Sequence, residues 1–583
     1  MRDDLILGMA GAGGDGVVSA GESLLKAATT LGYHAMMTKS FGSQIRGGES
    51  SCRLRLSTRK VLNPGGALDV LVALNWEDFL RFGAELPLSA DTVVVYDEKA
   101  GPARTPVAAR GLVLVPVPIS ALAKQAAGSE KAKTAVVLGL LSGWLDLPAP
   151  AVLKGLKQRF ASKGEAVLTA TEKAFTAGLA HAAANGWAAP KALEKPAADA
   201  GPKLLCDGND MCAAGALFAG VKFFGGYPIT PSTEVMQILS RELWKYGGAV
   251  LQAEDEIAGV GAAVGASFAG KKAMTATSGP GLDLKAELLG LATIAELPLV
   301  VVDVQRGGPS TGLPTKAEQS NLFAAAFSGH GDVLRPVLAP TGVADTFRLT
   351  VEAFNIAEQY QTPVLLLSDQ EIAQRKKAID VIDTSTLEVA ERRVPTMAEL
   401  AEKPYARFAL TESGVSPISH PGLEGGTYLA AGIEHDEKGA PTSGGAMHAK
   451  MNRKRFAKLE PLAARADLFE LTGNPAAPLG IVAWGSTAGV AREACRAAAA
   501  RGLDVKLLVP YLLHPVADDV YASFFASLTA GLVVELSHQG QLYRLLRMFT
   551  DVPSSVRSLC RSGANPFSPA ELLTRLVELK GVR

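Results

Sequence analysis

Four short blocks hold the residues that could do chemistry. They are Gly225-Gly-Tyr-Pro-Ile-Thr-Pro-Ser-Thr233, Gln252-Ala-Glu-Asp-Glu256, Thr275-Ala-Thr-Ser-Gly-Pro-Gly281 and Arg306-Gly-Gly-Pro-Ser-Thr-Gly-Leu-Pro-Thr315. Each sits where an apolar strand pattern gives way to a turn or helix, the place where ligands bind in an open α/β sheet. Glu256 opens a Gly/Ala-rich helix. A carboxyl group there is partly desolvated, which raises its pKa and suits one hydrogen bond to a ring nitrogen. It equally suits an acid that satisfies a helix N-terminus. Arg306 follows the apolar run Leu299-Val-Val-Val-Asp-Val304 and precedes glycines. That places a guanidinium for bidentate contact with a carboxylate, or leaves it as a solvated surface arginine. Thr230, Thr311 and Thr315 add neutral donors, so the set describes a pocket for a small carboxylic acid. No Cys, Ser-His or metal constellation accompanies it. Binding groups without a nucleophile point to an organic cofactor that supplies the reactive carbon.

The elements that must position these residues form a domain at 203–375. An Ala/Gly-rich helix spans 207–222, and Phe223–Tyr227 is a strand. Pro228 and Pro231 fix the turn that follows, and Ser232 or Thr233 caps the next helix with Glu234 in its first turn. A second small-residue helix covers 255–269. Buried-type strands lie at 272–276, 299–304 and 363–368. Strands alternating with helices give a parallel sheet.

Ahead of it, residues 1–187 read as another α/β domain. A strand at 4–10 runs into Gly11-Ala-Gly-Gly-Asp-Gly16 and a helix from Val17 to Leu31. The glycines match GxGxxG, but the second strand ends in Lys39 where a nicotinamide dinucleotide site wants an acid. A phosphate site for another ligand and a tight structural turn both stay open. In the glycine-rich loop Ser40–Cys52, Arg46 is either an anion contact or a solvated arginine. Strands at Val70–Leu74, Thr92–Tyr96 and Leu112–Val117 precede a helical tail to Ala184. Residues 188–202 are a proline-bearing linker. Residues 376–470 form an irregular connecting region whose basic helix, Lys450–Lys458, reads as a solvated face. A C-terminal α/β domain fills 471–583, with a strand at Leu479–Trp484, a turn at Gly485–Thr487 and a polar turn around His538.

Bulk properties exclude other classes. The chain has 583 residues, which at roughly 150 per domain means about three or four domains. Lys+Arg and Asp+Glu are both 58, so the net charge of zero disfavours nucleic acid. Hydrophobics at 48% and charged residues at 20% read as a well-buried protein with room for a large subunit interface. No apolar run reaches the roughly 18 residues of a membrane span, and the N-terminus enters a strand directly, so a soluble cytoplasmic protein is expected. The five cysteines (Cys52, Cys206, Cys212, Cys495, Cys560) show no CxxC spacing, so they read as scattered buried thiols rather than a zinc or iron–sulfur site.

The set YPITPST, AEDE-IAGVGAA, TSGPG and RGGPSTGLPT resembles the α subunit of the 2-oxoacid:ferredoxin oxidoreductases, most closely the 2-oxoglutarate enzymes. Gly11–Gly16 with Ser40–Cys52 resembles the family's γ domain, here fused ahead. The resemblance implies a γ-type α/β domain, a thiamine-enzyme pyrimidine-binding domain and a transketolase-C-like α/β domain. It also implies thiamine diphosphate shared between two chains. Glu256 falls on the glutamate that activates the aminopyrimidine ring, and Arg306 on the arginine that binds the substrate carboxylate. Thr230 lies by substrate and cofactor, Thr311 lies by the substrate, and Thr315 helps read a distal carboxylate. Cofactor contacts fall on Tyr227, Pro228, Ile229, Ser278 and Gly279. The implied reaction takes 2-oxoglutarate to CO2 and succinyl-CoA, with electrons leaving one at a time to ferredoxin, and can run in reverse. Coenzyme A is expected near Gly485, Ser486, Thr487 or His538. Mg²⁺ and a [4Fe-4S] cluster are expected on a β subunit, because this chain has no convincing GDG…N motif and too few clustered cysteines; the assembly would be (αβ)2. The competing readings are the same chemistry on pyruvate or a branched-chain 2-oxoacid, and a non-catalytic nucleotide-binding regulatory subunit.

Overall fold

The computed structural model describes residues 3–42, 48–82, 85–102, 107, 111–186, 193–197, 201–402, 404–563 and 565–581. Arg46 lies outside them. The chain divides into two compact units, one of Met1–Asp207 with Gln374–Ile382, the other of Gly208–Ala373 with Asp383–Arg583. Among the described residues no helix is long and apolar enough to cross a membrane.

In the first unit the apolar runs become β1 (Asp4–Ala12), β2 (His34–Phe41), β3 (Glu49–Ser57), β4 (Leu68–Ala73), β5 (Leu88–Asp97) and β6 (Val113–Val117). β1 is buried from Leu5 to Gly11 because it is central: it pairs antiparallel with β3 and parallel with β4. The helix Val17–Thr30 lays Ala20, Leu24, Leu25 and Ala28 into the core beside it. Two further strands complete this sheet. β7 (Lys203–Cys206) was expected to open the second domain, and the segment Lys376–Asp380 to lie in the irregular region. Instead they pair with each other, Lys377 opposite Cys206, and Lys377 also pairs with Met36 of β2. The domain boundary therefore falls after Asp207, and the chain returns once. These strands are short, four and five residues, too brief for a pattern to announce them; ion pairs flank the ladder, Lys203–Asp380 at 2.6 Å and Lys376–Asp207 at 2.7 Å. The proline-bearing linker lies mostly outside the described residues, though Leu193 is buried in the first core.

The glycine turn after β1 closes on itself. The Ala12 N–H donates to Asp15 Oδ2 at 3.0 Å, and Asp15 pairs with Lys133 at 2.7 Å. Gly16 has φ 78°, and a Cβ there would lie 2.5 Å from Thr134 Oγ1, so glycine is required. The turn supplies its own anion, which favours the structural reading.

The second unit carries the parallel sheet expected from 223 to 368. Its strands are β8 (Phe223–Gly226), β9 (Ala249–Gln252), β10 (Ala273–Thr277), β11 (Leu299–Gln305), β12 (Val337–Leu338) and β13 (Pro363–Asp369). The strand Lys376–Asp380 is β14 in chain order. A third sheet uses β15 (Phe469–Thr472), β16 (Leu479–Ala483), β17 (Val505–Pro510), β19 (Ala530–Glu535) and β20 (Val556–Cys560), ordered β15-β17-β16-β19-β20 with only β15 antiparallel. Between β17 and β19, β18 (Leu512–His514) leaves this sheet and pairs with β12, so the C-terminal segment contributes an edge to the preceding sheet. The fold is multi-domain α/β.

The basic helix is not a solvated face. It spans Gly445–Ala457, and Lys454, Arg455 and the adjacent Lys458 are buried. Lys454 and Lys458 reach the fully buried Glu296 at 2.5 and 2.9 Å. Burial alone would raise the Glu296 pKa; Lys458, Lys454 and Arg407 override it and hold the carboxyl far below its usual range. Arg455 binds Glu434 at 2.6 Å. Sequence pattern could not show this, because the counter-charge lies more than a hundred residues away.

Candidate functional site

Glycine contacts seat the first acid. A Cβ on Gly225 would lie 2.4 Å from the Gly259 carbonyl oxygen, and one on Gly259 would lie 2.8 Å from Gly226 Cα. The helix Glu256–Phe268 therefore rests backbone on backbone against β8. Asp255 caps that helix, its Oδ1 accepting from the Ala258 N–H at 2.7 Å. Glu256, next in line, is 7% exposed. Its carboxyl lies over the start of the helix Pro280–Ile294: a Cβ on Gly281 would sit 3.0 Å from Glu256 Oε1 and 2.1 Å from Thr277 Oγ1. Both glycine contacts and the helix N-terminus favour a carboxylate in that seat.

Around it the hydrogen bonding is incomplete. Thr275 Oγ1, Thr277 Oγ1, Ser278 Oγ and Asp303 Oδ1 are buried without a partner. Asp303, near the end of β11, accepts from Asn321 Nδ2 at 2.8 Å with its other oxygen. Burial pushes its pKa up to about 7, against the Asn321 and Gly279 hydrogen bonds. Gly279 is half-buried with φ 21°. Buried polar groups normally find partners, so four orphans in one place mark space for a ligand or water.

Arg306 meets the Thr230 turn. Arg306 is 5% exposed, not a surface arginine. Its Nη1 donates to the Thr230 carbonyl at 2.6 Å, which joins the first and fourth blocks. Its Nε is buried without a partner, and burial lowers its pKa. The fork thus keeps donors for an anion. Thr230 and Tyr227 are exposed, and Pro228 and Ile229 are half-buried. Their turn is held by Asn209, which donates to the Pro231 carbonyl at 2.8 Å. Ser232 does not cap the next helix with its side chain; the hydroxyl donates back to the Ile229 carbonyl at 3.0 Å. In the Arg306 loop, Leu313 bridges back to Gly307, leaving Thr311 exposed and Thr315 half-buried. Gly312 has φ 49°, and a Cβ there would lie 1.9 Å from the Gly307 carbonyl oxygen, so this reversal needs glycine.

The sequence reading missed the groups that fasten this loop. Glu318 accepts from the Gly308 and Gly563 N–H groups, both at 3.2 Å. Gln319 donates to the Trp484 carbonyl at 2.8 Å and accepts from the Leu536 N–H at 2.8 Å. The signal was a polar run, Glu318-Gln-Ser-Asn321, buried among apolar neighbours. Gly485, Ser486 and Thr487 are buried in the same junction: the Ser486 N–H donates to Asp369 at 3.1 Å, and the Thr487 hydroxyl donates to the Trp484 carbonyl at 2.6 Å. His538 is exposed at the end of the third sheet. The structure thus brings Gly485–Thr487 to the Arg306 loop through Gln319, as a floor rather than an open surface.

Residues 214–454 match the family described as "Pyruvate flavodoxin/ferredoxin oxidoreductase, thiamine diP-bdg", and residues 7–181 match "Pyruvate ferredoxin/flavodoxin oxidoreductase". The 2-oxoglutarate oxidoreductase subunit KorA of Mycobacterium tuberculosis is 34% identical, over 99% of this chain and 93% of its own length. The 2-oxoglutarate synthase subunit KorA of Methanocaldococcus jannaschii is 36% identical over 63% of this chain and 96% of its own length. The chain belongs to the 2-oxoacid:ferredoxin oxidoreductase family. The solved 2-oxoglutarate:ferredoxin oxidoreductase from Magnetococcus marinus, with 2-oxoglutarate, coenzyme A and succinyl-CoA bound, is 38% identical. It superposes with a TM-score of 0.93 over 99% of this chain and 100% of its own. In family terms the chain is an oxidoreductase α subunit with a γ-type domain fused ahead of its thiamine-diphosphate-binding domain.

Proposed function

We propose that this chain is the α subunit of a coenzyme-A-acylating enzyme that oxidatively decarboxylates 2-oxoglutarate to succinyl-CoA and CO2, with ferredoxin as electron acceptor. The carrying observation is that a buried acid, Glu256, and a buried arginine with an unpartnered Nε, Arg306, each follow a strand of one parallel sheet, β9 and β11. The names of the relatives from Methanocaldococcus jannaschii and Mycobacterium tuberculosis support the substrate, as do the ligands of the Magnetococcus marinus structure.

The residues present fit thiamine diphosphate. A buried carboxyl beside orphaned hydroxyls of Thr277 and Ser278 offers both acceptor and donors to an aminopyrimidine. When bound, that cofactor supplies the nucleophilic carbon that the chain lacks. Glu256 holds a proton at the ring nitrogen. Tyr227, Pro228, Ile229, Ser278 and Gly279 line the cofactor's seat. Arg306 binds the substrate carboxylate, Thr230 orients the substrate, Thr311 lies by the substrate, and Thr315 helps read the distal carboxylate. Coenzyme A lies at the C-terminal sheet, over the floor of Gly485, Ser486 and Thr487 and toward His538. A β subunit supplies Mg²⁺ and the [4Fe-4S] cluster, in a cytoplasmic (αβ)2 assembly that also runs in the reductive direction.

The test is co-expression with the cluster-bearing partner, purification without oxygen, and coenzyme-A-dependent viologen reduction on 2-oxoglutarate, pyruvate and 2-oxoisovalerate. Strong preference for 2-oxoglutarate is expected. Preference for another acid overturns the substrate and keeps the chemistry; no activity on any, with cofactors bound, overturns the reading.

A further inference from the structure

Lys285 stands on the helix Pro280–Ile294, one turn beyond Gly281. Its side chain is fully buried, at 0% exposure. Lysines are almost never that deep without compensation. An ammonium offers three donors, and this one makes a single hydrogen bond, to the backbone oxygen of Glu256 at 3.0 Å. Burial lowers its pKa to about 8, while Glu256 and Asp255 from the facing helix and Asp303 from β11 pull the other way. Asp303 in turn feels Asp283 and Arg306. The cation therefore lies at the first turn of the Glu256 helix, within electrostatic reach of Glu256, Asp255 and Asp303.

We propose that Lys285 is a positioning residue for Glu256: it pins the carbonyl at the start of that helix and sets a buried positive charge near the carboxylate. The inference rests on the thiamine reading above and adds a residue to it. The hydrogen bond fixes where the helix begins, and so where the carboxylate points. The charge acts in a dry pocket, where Coulomb interactions are far less screened than in water.

The assembled complex with its cluster-bearing partner tests this without turnover. Two quantities are read: thiamine diphosphate affinity by tryptophan fluorescence, and hydrogen–deuterium exchange at the cofactor's C2 by acid-quench NMR. Lys285→Met is expected to slow exchange at least about tenfold with affinity changed less than about threefold. Lys285→Gln, which keeps a donor without charge, is expected to lie between. Wild-type exchange is expected to fall as pH rises through about 8, where Lys285 loses its charge, and Lys285→Arg to remove that fall. Equal exchange in wild type and Lys285→Met across pH 6–9 overturns the proposal. If Lys285→Met does not assemble, the wild-type profile decides: no fall up to pH 10 overturns it. Glu256→Gln is the control. Slowed exchange there with none in Lys285→Met sinks this inference alone, whereas no thiamine binding in the wild type sinks the thiamine reading with it.

Discussion

Gly11–Gly16 and Thr275–Gly281 are both glycine-bearing turns between a strand and a helix, and they differ in what they leave unmet. In the first, Asp15 takes the Ala12 N–H and is itself neutralised by Lys133. In the second, three hydroxyls and one carboxylate oxygen stay buried without partners around Glu256. The glycines do the same mechanical work in each place, permitting tight turns and close backbone contact. What separates a structural turn from a ligand site is unspent hydrogen-bonding capacity, which the glycine pattern does not encode.

The sharpest break of this comparison is Glu256→Gln. Turnover should fall by about 10²–10⁴-fold, the range for a lost proton-transfer group, while the complex still co-purifies. Near-normal viologen reduction would return Glu256 to a helix-end acid. Arg306→Ala comes next. Charged hydrogen bonds of about 1.5–3 kcal/mol predict a roughly ten- to hundredfold rise in KM for the oxoacid, with a smaller rise for coenzyme A. Equal rises would make the arginine a brace for the Thr230 turn.

Asp303 tests the pocket's unpaired side through pH. Its folded pKa, about 7, lies above the ordinary aspartate value of 3.8. The folded state thus binds more protons between those values, and stability falls as pH rises from about 4 through 7. Asp303→Asn should remove this slope, so its advantage in thermal melts should grow across that window, by at most about 1.4 kcal/mol per pH unit. A constant difference would show that the acid is not held protonated. Asp15→Ala tests the closed turn: a loss of about 1 kcal/mol in stability, the scale of one net hydrogen bond, with the activity of assembled enzyme retained. Lost activity at unchanged melting temperature would make the glycine turn a ligand site after all. The smallest effect is Thr315→Val, expected to weaken 2-oxoglutarate about fivefold more than pyruvate, on the scale of one neutral hydrogen bond.

Much of the fold was legible because apolar runs such as Leu299–Val304 can only be buried strands, and the glycines around them only turns. Glu256 and Arg306 were legible as chemistry, since an acid opening a small-residue helix and an arginine ending a buried strand are unusual placements. Asp303 was in view as a single charge inside an apolar run, whereas Lys285, between Asp283 and Glu287, looks like one charge on a mixed helix face; nothing local says which charges meet. The same limit hid Lys454 and Lys458, whose burial depends on Glu296. β7 and β14 were illegible for a related reason: neither has a pattern of its own, and each is a strand only because the other is present.

That last pairing has a consequence for how the chain is made. β2 emerges early, and the partner for Met36 and Met37 is encoded at Lys376–Lys377. At about 5–20 residues per second, a ribosome leaves that edge bare for tens of seconds while the segment Gly208–Ala373 is being translated. A gene fragment cut at the proline-bearing linker would keep it bare permanently. An exposed strand edge is a template for self-association, so the first unit is a poor candidate for expression by itself, even though it has a core of its own.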